Sequence, residues 1–270
     1  MKTERDIKKI VEEKYSAIAR QNSRAGDEGC CGSKDEKVEV FDIMADDYGT
    51  IAGYTGEADL GLGCGLPTKF ARIQKGDTVI DLGSGAGNDC FIARHECGPE
   101  GRVIGVDFSR PMIDRARTNA RKLKFDNVEF LYGDIEDLPV DDGIADVVVS
   151  NSVLNLVPDK ARVFSEILRV LRPGAHFSIS DIVSTGDLPE GIKEAAELYA
   201  GCVAGAIPKQ EYLDLIRQTG FVRLKLQKDK PIEIPEEILA KYLSPEDIEL
   251  YRKESGRIHS ISVYAEKPSA

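Results

Sequence analysis

Two sets of residues in this sequence could do chemistry. The first is thiols set between glycines. Cys64 sits in Leu60-Gly-Leu-Gly-Cys-Gly-Leu-Pro67, where a proline closes the run, and Cys202 sits in Gly201-Cys-Val-Ala-Gly205. A vicinal pair, Cys30-Cys31, lies in the polar, glycine-bearing stretch 22–36, which reads as a mobile loop. Thiolate sulfur is a ligand for soft metals and metalloids, and glycines let a backbone bend tightly around what the sulfur holds. A buried hydrophobic turn around Cys64 would use the same residues. Cys90 and Cys97, seven apart on a helical segment, read as small core residues. Six cysteines make no disulfide framework in a chain of 270 residues, so reduced thiols are the expectation.

The second set is polar residues that end apolar runs: Asp81, Asp107, Asp134 and Asn151. In doubly wound sheets ligands bind beyond the carboxyl ends of the strands, and these four fall there together. Strand-end polarity explains any one of them, but all four poorly. The three histidines, His95, His176 and His259, fall in unrelated segments and suggest no convergent acid–base site.

The elements that must position these residues begin with 77–107, which reads as strand, glycine loop, helix, strand. Thr78 to Leu82 is short, apolar and β-branched, as a strand buried on both faces should be. Gly83, Gly85 and Gly87 break it before a helix from about 88 to 96, and a second strand ends at Asp107. A dinucleotide fingerprint would place its third glycine at Asn88, so the nicotinamide pattern fails. Ser109 should cap a helix to about Leu123, with Pro111 in its first turn. Strands are expected at Val128–Leu131, Ala145–Ser150 and His176–Ile182, with an amphipathic helix at Lys160–Leu171 stopped by Pro173-Gly174.

Helices are expected at 3–20, 189–199, 208–219 and about 236–254, and short ones within 38–58. Final strands are expected at Phe221–Gln227 and Ile258–Glu266. The reading is an α/β, Rossmann-like, doubly wound and mostly parallel seven-stranded sheet with an antiparallel edge strand. The expected organisation is an N-terminal helix and cysteine-bearing arm (1–58), a main domain (59–230) and a small C-terminal extension completing the sheet (231–270).

Composition narrows the functions. With 36 basic against 47 acidic residues the formal charge is -11, which repels phosphate backbones and argues against general nucleic-acid binding. A cationic cofactor is compatible with that charge. No apolar run approaches the roughly 20 residues of a membrane span, and the first 25 residues lack the apolar core of a secretory signal, so a cytoplasmic location is expected.

Asp81-Leu-Gly-Ser-Gly-Ala-Gly87, Gly105-Val-Asp107 and Gly133-Asp134-Ile135 resemble the successive binding motifs of the class I S-adenosylmethionine methyltransferases. The resemblance implies that backbone at Gly83 and Gly85 lies along the methionine part, with Asp81 and Ser84 also at the cofactor, that Asp107 takes the ribose hydroxyls, and that Asp134 and Ile135 contact the adenine. Phe108 and Met112 are candidate walls of the adenine pocket, unless they are core. Asn151 ends the fourth strand beside them.

The likeness becomes narrower over residues 60 to 226. The stretches around Cys64, Asp81 to Cys90, Ser150-Asn-Ser-Val-Leu-Asn-Leu-Val-Pro-Asp-Lys160 and Tyr199 to Gly205 resemble, in this order, the arsenite methyltransferases, whose microbial members also carry a Cys-Cys-Gly arm. The resemblance implies methyl transfer from S-adenosylmethionine to trivalent arsenic, with glutathione or thioredoxin as reduced-thiol cosubstrate. Cys64 and Cys202 would hold the arsenic, and Cys30 and Cys31 could deliver it or simply be exposed. The arsenic lone pair would displace the methyl carbon from the sulfonium in line. No general base is needed, so the protein's task is positioning and exclusion of water.

The sequence departs from the family at Ser152, where members commonly carry a cysteine thought to ligate arsenic with the one matching Cys202. Serine oxygen is a poor soft-metal ligand. Two other readings therefore stand beside the first: a methyltransferase for a small organic acceptor, and an arsenic-binding relative with impaired turnover.

Overall fold

The computed structural model describes residues 4–21, 48–186, 205–233, 236–240, 243–253 and 258–269. Its centre is a seven-stranded sheet of β1 (Thr78–Leu82), β2 (Arg102–Asp107), β3 (Val128–Tyr132), β4 (Ala145–Asn151), β5 (Leu171–Ser184), β6 (Val222–Pro231) and β7 (Ile258–Glu266). The order is β3-β2-β1-β4-β5-β7-β6; β3, β2, β1, β4 and β5 pair in parallel, while β7 runs against both β5 and β6. The order reverses between β1 and β4, and a crevice at that switch point is where such sheets bind ligands.

Alternation along the strands builds a core on each face, because successive side chains of a strand point to opposite sides. Ile80, Leu82, Ile104, Val106 and Val148 meet the apolar stripe Val163, Phe164, Ile167 and Val170 of α5 (Lys160–Val170), together with Tyr212 and Ile216 of α6 (Lys209–Thr219). On the other face Val79, Val103, Val147 and Val149 meet Phe91, Ala93 and Cys97 of α3 (Asn88–Cys97) and Ile113, Ala116 and Ala120 of α4 (Arg110–Leu123).

The caps follow the sequence. Ser109 Oγ accepts from Met112 N at 3.5 Å at the start of α4, and Asp159 Oδ1 accepts from Arg162 N at 3.0 Å at the start of α5. The N-terminal helix α1 (Glu4–Gln21) packs on α4, where Ser16 Oγ and Ser109 Oγ share a hydrogen bond of 3.0 Å and Arg115 Nη1 donates to Ala19 O at 3.4 Å. A single turn, α2 (Pro67–Phe70), precedes β1.

Several boundaries differ from the sequence expectation, each for a local reason. Residues 48–58 form turns, closed by Ile51 N to Tyr48 O (2.9 Å) and Ala58 N to Thr55 O (2.9 Å), and Gly53 at φ +90° breaks any helix there. The fifth helix ends at Val170, and Leu171 already pairs with Ala145, so Pro173-Gly174 falls inside a long β5 at a register shift. The helical stretch expected at 236–254 is two pieces, α7 (Glu236–Leu239) and α8 (Pro245–Lys253). Ser244 Oγ accepts from Asp247 N at 3.2 Å and starts the second afresh. The helix expected at 189–199 lies outside the described residues. No helix among the described residues is long and apolar enough to cross a membrane.

Candidate functional site

Beyond the carboxyl ends of β1, β2 and β4 lies an open cleft of about 760 Å³, lined by the glycine loop, the strand ends, Tyr15 of α1, Tyr48 and the stretch Leu60–Gly63. The loop is glycine for steric reasons. Gly83 has φ +68°, and a Cβ there would stand 2.4 Å from Val153 Cγ2. Gly87, at φ +99°, opens α3. The N–H groups of Gly83 and Ser84 both reach Val106 O, at 2.8 and 3.1 Å, which ties the loop to β2.

Asp107 holds the loop from the other side. Its Oδ2 accepts from Gly85 N at 2.9 Å and its Oδ1 from Ser109 N at 2.8 Å. Burial pushes its pKa up to about 6, against the pull of those two N–H groups. Asp81 is buried and its Oδ2 accepts a hydrogen bond from the Cys90 thiol at 3.2 Å. Burial raises its pKa well above the ordinary value, and the nearby Asp89 adds to the rise. Cys90 is thus both core and hydrogen-bond donor; Cys97 is core. Asp89 is raised to about 6 by burial, offset by hydrogen bonds from Asn151 and Tyr48.

Four carboxylates, Asp59, Asp81, Asp89 and Asp107, therefore face one cleft whose described lining contains no lysine, arginine or histidine. Buried carboxylates without a counter-charge are costly, and a cationic ligand relieves them. Ser84 Oγ and Asn88 Oδ1, both at the cleft, are buried with no hydrogen-bond partner among the described residues. Acid groups for a sulfonium and an ammonium, and unsatisfied polar atoms for a nucleoside, fit S-adenosylmethionine.

This arrangement fixes the sign of a pH effect. Asp89 and Asp107 are raised from 3.8 to about 6, so the stability they confer on the ligand-free fold is complete below pH ~3.8 and lost as pH rises through about 6. Affinity for a cationic cofactor runs the other way. Calorimetric titration with S-adenosylmethionine should give roughly tenfold tighter binding at pH 7.5 than at pH 5.5, about 1.4 kcal/mol. A flat profile would show that these acids do not face the cofactor's charge.

The structure separates the residues expected at the cofactor. Asp81, Gly83, Ser84, Gly85, Asp107, Phe108 and Asn151 line the cleft, and Ser152 joins them. Asp134, Ile135 and Met112 are not among its lining residues. Asp134 Oδ2 accepts from Lys8 Nζ of α1 at 2.6 Å, and Lys8 also pairs with Glu136; Ile135 and Met112 are buried. Side-chain direction decides this, because the strand-end motif fixes position but not which way each residue turns.

Cys64 stands one residue behind the cleft-lining Leu62 and Gly63, in an apolar nest of Ile182, Ile232, Leu239, Ile248 and Ile258, so residues after 230 cover it. Its N–H donates to Asn151 Oδ1 at 3.0 Å and its carbonyl accepts from Ser260 Oγ at 2.7 Å. Ser152, next to Asn151, is buried at φ +59° and donates its N–H to Ser180 O at 2.9 Å. Cys30, Cys31 and Cys202 lie outside the described residues. Gly205, three residues after Cys202, is described: a Cβ there would stand 1.8 Å from Asn155 O, so only glycine fits against the turn that follows Ser152.

Sequence reasoning missed Tyr48, Asp89 and Tyr15 at the cleft. Asp89 carried a signal, since it falls in the first turn of the helix that the glycine loop opens. Tyr48 carried none, because it reaches the site through turns in a stretch that is only weakly periodic.

The family model described as a methyltransferase domain matches residues 73–220. An arsenite methyltransferase of Halobacterium salinarum is 42% identical over 240 residues, covering 84% of this chain and 61% of that protein. One from Aquipseudomonas alcaligenes is 31% identical over 240 residues, covering 86% of this chain and 67% of that protein. The chain thus spans about three fifths to two thirds of the length of these relatives. Among solved structures, an arsenic (III) S-adenosylmethionine methyltransferase from Chlamydomonas reinhardtii matches with a TM-score of 0.60 at 31% identity, covering 74% of this chain and 65% of that one.

Proposed function

Because the chain belongs to the arsenite methyltransferase family of S-adenosylmethionine-dependent methyltransferases, we propose that it methylates thiol-bound trivalent arsenic. The observation that carries this reading is the fastening of the Cys64 loop to the cofactor cleft: Asn151, in the wall of the cleft, accepts the Cys64 N–H.

S-adenosylmethionine supplies an electrophilic methyl group on a sulfonium. The glycine loop would hold its methionine part, with Asp81 and Asp89 facing the positive charge and Asp107 facing the ribose. Cys64 and Cys202 would hold arsenic as thiolates, and Cys30 and Cys31 would hand it over. The apolar residues around Cys64 keep water from a centre whose ligands would otherwise exchange for hydroxide. Methylation raises arsenic formally from +3 to +5, so a further round needs two electrons; a reduced thiol such as glutathione or thioredoxin supplies them and becomes disulfide. A cytoplasmic setting, where thiols stay reduced, suits that requirement.

Ser152 bears on the extent of the reaction. It lies in the cleft wall where family members commonly carry a cysteine, and oxygen in place of sulfur there would weaken one arsenic ligand. Incubating the purified chain with S-adenosylmethionine, glutathione and arsenite should yield methylated arsenicals, separable by chromatography and detected by mass. Ser152→Cys should shift the products towards more methyl groups. No methylated product from either protein would remove the arsenic assignment.

A further inference from the structure

The side chain of Asn151 was expected at the cofactor, and it does more than line the cleft. Its orientation is set by the Cys64 N–H, which points at Oδ1 at 3.0 Å. The other end, Nδ2, has two protons and three acceptors in reach: Gly65 O at 2.8 Å, Asp89 Oδ2 at 3.2 Å and the Tyr48 hydroxyl at 2.5 Å. Tyr48 in turn lies 3.0 Å from Gly65 O and 3.1 Å from Asp89 Oδ2, with one proton to give. The backbone lies flat on this amide, since a Cβ at position 63 would stand 2.6 Å from Asn151 Nδ2.

Three protons thus serve Gly65 O and the Asp89 carboxylate, and their distribution depends on Asp89. As a carboxylate, Asp89 draws the Tyr48 O–H and one Asn151 N–H, leaving the second N–H for Gly65 O. As an acid it accepts more weakly, and the Tyr48 O–H at 3.0 Å and the Asn151 N–H at 2.8 Å then compete for Gly65 O. The groups facing Asp89 are Asp59, Asp81, Tyr48, Thr68 and Asn151, with no cation among them. Asp89, Tyr48 and Asn151 all line the cleft, so an occupant that meets the Asp89 carboxylate acts on the same hydrogen bonds that set the loop.

We infer that Asn151 is a positioning residue that couples occupancy of the cofactor cleft to the setting of the Cys64 loop, through hydrogen bonds shared with Tyr48 and Asp89. This deepens the proposed reaction and, for its consequence in arsenic binding, rests on Cys64 being a ligand there. A residue that merely supported the loop would change stability without making Cys64 respond to the cleft.

The test reads Cys64 in the full chain without arsenic. Iodoacetamide alkylation of the Cys64 peptide is followed by mass spectrometry, with and without saturating sinefungin, a cofactor analogue with an amine at the sulfonium position. Calorimetry confirms that the analogue binds each protein. Alkylation of a buried thiol reports local opening, so sinefungin should slow it about fivefold or more in the wild type. The effect should fall below twofold in Asn151→Ala and lie between the two in Tyr48→Phe, which keeps the ring packing against Leu66 and Ile92 and carries the test alone if the alanine variant does not fold. Equal protection in wild type and variants would mean direct shielding and would overturn the inference, as would an unchanged rate in the wild type. Failure to make methylated arsenicals would remove the proposed reaction and leave this result intact.

Discussion

Asp107→Ala is expected to weaken S-adenosylmethionine binding by about 100-fold or more while leaving the melting temperature of the ligand-free protein nearly unchanged. The two halves of this expectation have different origins. The carboxylate accepts from Gly85 N and Ser109 N at 2.9 and 2.8 Å, so it shapes the loop before any ligand arrives, and in the proposed function it would face the ribose hydroxyls. Hydrogen bonds to a charged group are worth roughly 1.5–3 kcal/mol each, and losing the acceptor leaves two buried N–H groups unsatisfied. About 100-fold corresponds to ~2.7 kcal/mol. Against this, burial holds Asp107 near 6, so at neutral pH its ionised form costs the fold something that the variant no longer bears. Asp107→Asn keeps one oxygen but turns an NH₂ toward one of the two N–H donors, and should bind nearly as poorly. Calorimetry and thermal unfolding on the same samples test both halves. A variant that binds normally would show that Asp107 is not a cofactor residue, and one that binds poorly only because it has melted would show that it is structural.

What could be read in the sequence depended on whether the determinant was local. The glycine loop was legible because three positive φ angles within five residues leave few alternatives to glycine, and the strands because alternation marks a sheet covered on both faces. The stretch 38–58 is only weakly periodic, and where the short helices expected there can be compared, at 48–58, the chain forms turns that deliver Tyr48. Asp134 shows the other limit. Its motif placed it at a strand end, but its carboxylate is engaged by Lys8, 126 residues away, and no spacing rule links the two. Asn151 ends β4 in the cleft wall, whereas its bonds to the Cys64 loop depend on a closure across 87 residues. The covering of Cys64 by residues after 230 is equally non-local.

Replacing either candidate arsenic ligand should abolish methylation without touching the cofactor. Cys64→Ser and Cys202→Ser are each expected to lower arsenite methylation about 100-fold or more, with S-adenosylmethionine affinity within about twofold of wild type. Serine oxygen cannot replace thiolate sulfur towards trivalent arsenic, whereas Cys64 is not among the described residues that line the cofactor cleft. At Cys64 a confounding effect must be separated. The side chain sits among Ile182, Ile232, Leu239, Ile248 and Ile258, and a hydroxyl buried there costs about 1–3 kcal/mol unless it finds a partner. Cys64→Ala avoids that cost and leaves only a small cavity. If the thiol is a ligand, the alanine variant should melt above the serine variant and be just as inactive. If the loss of activity were only instability, alanine would recover it. Full activity in Cys64→Ala would remove Cys64 from the arsenic site and leave its glycine-flanked loop as a packing element between the cleft and the C-terminal strand.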